Sequence, residues 1–258
     1  MPLQLKAYGL SDPGLVRKNN EDVWGCLPEH HLYLLADGMG GHQAGEVAAR
    51  EAVIHVCSAM RSFFENHVHH DLSTTSIASH IKESIEETNH FIYELAQTDE
   101  LLHGMGTTLI LLCFYAGNVI VAHVGDSRIY RLRQRSILQV TKDHSLLREM
   151  IDNGKVASTH AGEFPYKNIL TRAVGTGNTV EPTLCMSAVR QGDIFLLCSD
   201  GLSDLLNQEE IEDILNKSLS IEEKVRFLIA AAKHKGGYDN VTVVLIEVIE
   251  ASSDENIS

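Results

Sequence analysis

Three apolar stretches of this sequence run into an aspartate beside a glycine: LYLLA into Asp37 before Gly38, IVAHV into Asp126 after Gly125, and IFLLCS into Asp200 before Gly201. A fourth aspartate, Asp239 in GGYDNVTVV, stands before an apolar stretch, and an acidic pair, Glu21-Asp22, precedes VWGCL. An ionised carboxylate deep among apolar side chains carries a large desolvation cost. The end of a core strand holds it rigidly while leaving its oxygens in a cleft. The adjacent glycine lets the backbone turn sharply and bring a carbonyl or amide close to a ligand. If these strands lie side by side their carboxylates converge, and converging hard oxygen donors suit magnesium or manganese. Any one Asp-Gly after a strand is ordinary turn chemistry. Recurrence favours the metal reading without deciding it.

Other chemistries fit less well. The glycines of GMGG (38–41) form neither a dinucleotide fingerprint nor a lysine-bearing phosphate loop. The histidines of HVHHD (67–71) match no standard zinc spacing and fall between helical patterns, so they read as solvated. There is no G-x-S-x-G elbow and no cysteine in a nucleophile motif. Chemistry by an activated water fits better than chemistry by a protein nucleophile.

Hydropathy predicts the elements that must position these groups. Short strands are expected at 3–10 and 23–36. Helices follow at 43–65 and 75–97, with Val53, Val56, Met60 and then Ile77, Ile81, Ile85 at helical spacing. Strands resume at 106–117 and 119–127, joined by a hairpin turn at Gly117-Asn118, and continue at 128–133 and 136–140. A helix is expected at 145–153, then a long irregular stretch at 154–182. The remainder reads as strands at 184–189 and 193–198, helices at 208–216 and 221–234, and a strand at 240–249. A regular strand–helix alternation is missing, which argues against a doubly wound parallel fold. Many strands with two pairs of helices suggest an α+β protein, its sheets packed together with helices outside.

The 258 residues are 44% hydrophobic and 22% charged, ordinary values for a chain with a real core. One domain over 1–250 and a frayed tail at 251–258 are expected. A formal net charge of −14 repels nucleic-acid phosphates. The five cysteines form no C-x-x-C pair, which reads as a reduced, cytoplasmic protein. No signal pattern or membrane-length apolar run is present.

Seven short motifs then carry a resemblance. RKNNED (17–22), ADGMGGHxxG (36–45), GMGTT (104–108), VGDSR (124–128), KDHS (142–145), SDGL (199–202) and YDN (238–240) occur in the order found in type-2C metal-dependent protein phosphatases. Each is short, but seven in order are specific, and the resemblance runs from about residue 8 to residue 248. The form DGMGGH resembles the bacterial branch.

The resemblance implies a four-layer α-β-β-α sandwich, two mainly antiparallel sheets flanked by helix pairs, with a two-metal centre at one edge. Asp37 resembles the carboxylate bridging both metals, with the Gly38 carbonyl beside it. Asp200 and Asp239 are similar to the ligands of the first metal, and Glu21 to the acidic residue on the second metal's side. Asp22 would orient a metal-bound water. Asp126 matches the position that, with Asp200, holds a third, weaker metal. Arg17 resembles the arginine that grips the substrate phosphate. The implied cofactors are two Mn2+ or Mg2+ ions per active site, and the implied reaction is hydrolysis of phosphoserine and phosphothreonine in proteins by a water or hydroxide bridging the metals, with no phosphoenzyme. Met39 stands where many eukaryotic relatives have a histidine proposed as general acid; His42, three residues on, is the alternative. The loop at 146–170 matches the family's flap beside the active site. Implied partners are phosphorylated proteins, including serine/threonine kinases and their substrates; a monomer is expected. A pseudo-phosphatase that only binds phosphoproteins, or a small-phosphoester hydrolase, are the competing readings.

Overall fold

A computed structural model describes residues 4–40, 44–67, 72–157, 164, 166 and 168–249. In chain order the strands and helices are β1 (Gln4–Asp12), β2 (Asp22–Leu27), β3 (Leu32–Met39), α1 (Ala44–Asn66), α2 (Thr74–Thr98), β4 (Gly106–Thr107), β5 (Leu109–Tyr115), β6 (Asn118–Val124), β7 (Arg128–Arg133), β8 (Ser136–Gln139), α3 (Leu146–Asp152), β9 (Thr183–Ala188), β10 (Ile194–Cys198), α4 (Asp200–Ser203), α5 (Gln208–Leu215), α6 (Ile221–His234) and β11 (Val241–Ile249). One sheet has the order β1-β11-β10-β7-β8; the other runs β2-β3-β5-β6-β9, with β4 paired to β3. Every pairing is antiparallel.

Three apolar layers hold the sandwich. Between the sheets, Tyr33, Leu35, Phe114, Phe195 and Val244 pack together, with Phe114 and Phe195 edge to face at 5.3 Å. Alternation along each strand sends the other side chains outward. Leu34, Leu111 and Ala122 meet α1 and α2 through Val56, Met60, Ile77, Ile81 and Ile85. Leu196, Val243 and Leu245 meet α5 and α6 through Ile211, Val225 and Leu228. The α-β-β-α sandwich expected from the motifs is therefore the fold.

Local chemistry accounts for the helix ends. Ser73 caps α2 by accepting from the Ser76 amide, while Asn207-Glu210 and Ser220-Glu223 form reciprocal capping boxes on α5 and α6. Helix α6 stops in a Schellman motif, in which the Gly237 amide donates to the Ala232 carbonyl and the Gly236 amide to the Lys233 carbonyl, both at 3.1 Å. The two glycines take φ of 127° and 50°. They deliver the chain into Tyr238 and Asp239.

Three expectations need correction. The stretch 23–36 is two strands, because Pro28 opens a one-turn 3-10 helix over Pro28–His30 and His31 turns back with φ 50°. The β5–β6 turn lies on Ala116 and Gly117, with φ of 47° and 77°, and not on Gly117-Asn118; Asn118 already pairs with Tyr115. The stretch 106–117 breaks between β4 and β5 at Thr108.

Candidate active site

Asp37 lies near the end of β3, directly across from Asp22 on β2. Its backbone is fixed on both sides. The Asp37 amide donates to Thr108 Oγ1 at 3.0 Å, and the Asp37 carbonyl accepts from the Thr108 amide at 2.8 Å and from Thr107 Oγ1 at 2.9 Å. The strand break at Thr108 thus has a purpose: it turns two threonines onto the strand that carries Asp37. Asp22 is buried, and its Oδ2 accepts from Ser199 and Thr242 hydroxyls, each at 2.7 Å. Thr242 lies on β11 of the other sheet and Ser199 directly follows β10, so Asp22 ties the two sheets together at the site. Its Oδ1 is buried without a hydrogen-bond partner.

Asp126 follows β6 through Gly125, whose amide donates to His144 Nδ1 at 3.2 Å. Asp143 beside it takes three hydrogen bonds from Arg128, the shortest 2.7 Å. The KDHS motif is therefore the brace of the VGDSR loop. Asp200 opens α4 directly after β10, a one-turn helix that periodicity could not reveal. Gly201 packs so tightly on the Asn240 carbonyl that a β-carbon would collide with it.

Asp239 Oδ2 accepts from Arg17 Nη2 at 2.7 Å and its Oδ1 from the Asn240 amide at 2.8 Å. Asn240 itself is buried and staples the neighbouring loop: its Oδ1 accepts from the Glu21 amide at 2.8 Å, and its Nδ2 donates to the Pro13 and Asn19 carbonyls at 3.1 and 2.9 Å. Gly38 and Gly45 touch backbone to backbone, and a β-carbon on Gly45 would meet Glu21 Oε2. The Glu21 carboxylate therefore lies against the start of α1, where the helix dipole favours negative charge.

Arg17, Glu21, Asp37, Gly38, Asp126, Asp200 and Asp239 line one open cleft of about 290 Å³, together with Met39, Gly40, Thr108, Asn168, Leu170 and Asn240. Asp22 stands behind its wall. His42 lies outside the described residues, as do parts of the 146–170 loop. Within that loop, the Leu146 amide donates to the Ile169 carbonyl at 2.8 Å, closing its two ends beside the cleft.

The electrostatics are those of crowded anions. Burial, then repulsion from Asp22, Asp200, Asp126 and Asp239, pushes the Asp37 carboxyl well above the usual range. Burial and then Asp126, Asp204 and Asp239 do the same to Asp200. Burial raises Asp22 to about 6, and burial followed by Asp143 raises Asp126 to about 6. Such a cluster ionises together most readily around a cation. Among the described residues no three His, Cys, Asp or Glu side chains stand close enough together, as placed, to hold a metal ion. The donor chemistry nonetheless fits hard divalent ions: oxygen donors only, most of them mutually repelling carboxylates, with one oxygen of Asp22 buried behind them and unpartnered.

The comparisons with known proteins agree with one another. The family model of protein phosphatase 2C matches residues 17–245. This chain belongs to the protein phosphatase 2C family. It is similar to the serine/threonine phosphatase stp of Listeria welshimeri, with 37% identity over 92% of this chain and 93% of that protein. A serine/threonine phosphatase of S. agalactiae superposes with a TM-score of 0.86 at 36% identity, covering 95% of this chain and all of that one. The catalytic domain of the phosphatase PstP, in complex with two manganese ions, superposes at 0.82 with 36% identity, over 96% of this chain and 100% of that one.

For a protein phosphatase 2C chain, the supporting residues are the ones that reading the motifs had left without roles. Thr107, Thr108, Asp143, His144, Ser199, Asn240 and Thr242 touch the loops that carry the carboxylates. The available signal was position: each sits inside a motif or within a few residues of a strand-end aspartate.

Proposed function

We propose that this protein removes phosphate from phosphoserine and phosphothreonine side chains of other proteins, using two divalent ions, Mn2+ or Mg2+. The carrying observation is that Asp37, Asp126, Asp200 and Asp239, from four separate strand ends, line one cleft with Arg17. Glu21, Asp37, the Gly38 carbonyl, Asp200 and Asp239 would hold the two ions, and Asp126 with Asp200 a third, weaker one. When bound, the ions supply charge neutralisation at the phosphoryl oxygens and a water that is nucleophilic at neutral pH.

The chain's own residues do the rest. Arg17, half exposed and anchored at 2.7 Å on Asp239, keeps further N–H donors for two phosphoryl oxygens. That bond also aims the guanidinium, so substrate binding starts from a preset geometry. Asp22 uses one oxygen to hold Ser199 and Thr242. Its other oxygen, buried without a hydrogen-bond partner and facing the Asp37 side, would be the one to orient a water held by the ions. Met39 lines the cleft and has no proton to give, so the proton for the departing serine or threonine oxygen would come from His42 or from water.

The partners proposed are phosphorylated proteins of the cytoplasm, among them serine/threonine kinases and their substrates. The protein acts as a monomer and a single domain over 1–250, with 146–170 as a flap over the substrate. Among the described residues no helix is long and apolar enough to cross a membrane.

Phosphate release from a phosphothreonine peptide tests the reading, with added Mn2+ or Mg2+ compared against excess chelator. Metal-dependent turnover is expected. A folded protein that turns over nothing with either metal would instead be a phosphoprotein-binding relative without catalysis. One that prefers small phosphorylated metabolites to phosphopeptides would be a small-ester hydrolase.

A further inference from the structure

We propose that Leu15, Val16 and Tyr238 form an apolar lip that receives an apolar side chain flanking the phosphorylated residue of the substrate, and so set a sequence preference; this rests on the phosphoprotein reading above. Leu15, Val16 and Tyr238 are 62%, 62% and 65% exposed, and among the described large apolar side chains only Leu101 is more so. Scattered single apolar residues are ordinary on a surface. These three are not scattered. Two immediately precede Arg17 and one immediately precedes Asp239, the pair joined at 2.7 Å at the cleft.

The two loops are built as one piece. The Leu15 amide donates to the Gly237 carbonyl at 2.8 Å, and Asn240 Nδ2 donates to the Pro13 carbonyl at 3.1 Å. Two glycines make the seat. A β-carbon at Gly236 would run into the ring of Tyr238, and one at Gly237 would come within 3.1 Å of Leu15 Cγ. Gly236 takes a φ of 127°, so its bare backbone face is what the ring lies across. Tyr238 is thereby laid down in a set place. A rigid aromatic side chain adds contact area at little entropic cost.

The occupant follows from position. A phosphate gripped by Arg17 places the substrate backbone at the mouth of the cleft. At roughly 3.3 Å per residue of extended chain, a side chain one or two positions away reaches the lip. Small phosphorylated metabolites carry no such flanking group, and a strongly charged flank would gain nothing from three apolar side chains.

Three substrates test this with metal-loaded enzyme: free O-phosphothreonine, a phosphothreonine peptide flanked by leucines, and the same peptide flanked by asparagines. The wild type is expected to favour the leucine peptide by about tenfold in kcat/KM, the low end for a partly exposed apolar contact, with the gain in KM. Tyr238→Ser and Leu15→Ser should each cut that preference severalfold while leaving turnover of free phosphothreonine unchanged. A wild type without the preference, or a preference that survives in both variants, overturns the lip. An equal loss on all three substrates would mean that these side chains only support the loop, and overturns it too. A folded wild type inactive on all three substrates removes the phosphatase reading, and the lip with it.

Discussion

Replacing Asn240 by alanine should damage the site without removing any proposed metal ligand. The side chain makes three hydrogen bonds to backbone groups of the 13–21 segment: it accepts from Glu21 and donates to Pro13 and Asn19, at 2.8, 3.1 and 2.9 Å. Each such bond contributes about 1 kcal/mol net, and a buried group left unpaired costs that or more. The sum is about 3 kcal/mol, or a fall of roughly 6–12 °C in Tm for a chain of this size. That is a large fraction of a typical stability of about 5–15 kcal/mol, but the fold should survive it. Function should suffer separately, because the same segment carries Arg17 and Glu21. A displacement of about 1 Å in a positioned group costs on the order of 10²-fold in rate. Urea unfolding and kcat/KM on a phosphothreonine peptide are the assays. A Tm within about 2 °C of wild type, the low end of the shift that 1 kcal/mol produces, together with full activity, would refute the staple.

Gly201→Ala should destabilise by about 1–3 kcal/mol, since the new β-carbon collides with the Asn240 carbonyl and one backbone must move; an unchanged Tm and unchanged turnover would contradict this packing. His144, stacked on His123 at 4.6 Å, has its pKa lowered to about 4, by burial first and then by His123 and Arg172. Its folded value lies below the unfolded one, so the stability it contributes is complete above pH 6.5 and is lost as pH falls toward 4. Between pH 7 and pH 5 the wild type should lose about 1 kcal/mol more unfolding free energy than His144→Asn, allowing for solvent screening. Parallel urea-unfolding curves for the two proteins across that interval would remove His144 as the cause.

Much of this architecture was written in local signals. Helices α1 and α2 were readable because Val53, Val56 and Met60, and then Ile77, Ile81 and Ile85, fall at helical spacing, and several strands because apolar runs end at Asp-Gly. What escaped was whatever depends on partners distant in sequence. Nothing local says that β1 pairs with β11, some 230 residues away by the Ser11–Thr242 register, yet that pairing brings Thr242 to Asp22. The break at Thr108 was hidden because threonine is at home in a strand; its hydroxyl was needed elsewhere, on Asp37. Helix α4 is too short for any period. The β7–β8 turn runs through Gln134 and Arg135 with φ of 51° and 67°, residues that announce no turn. The candidate ligands were visible because carboxylate chemistry restricts where they can stand. Their supports were not, since a serine or asparagine near a strand end has many commoner uses.

The central claim is that strand-end carboxylates hold the divalent ions on which turnover depends. Calorimetric titration of Mn2+ into the folded protein tests it most directly, comparing wild type with Asp37→Asn and Asp200→Asn. Both substitutions remove charge from a cluster whose members repel one another, so the variants should fold at least as stably as wild type. The account predicts two Mn2+ sites in the wild type and loss of tight binding in each variant, with phosphopeptide turnover lost in parallel. Undiminished binding of both ions by either variant would contradict it.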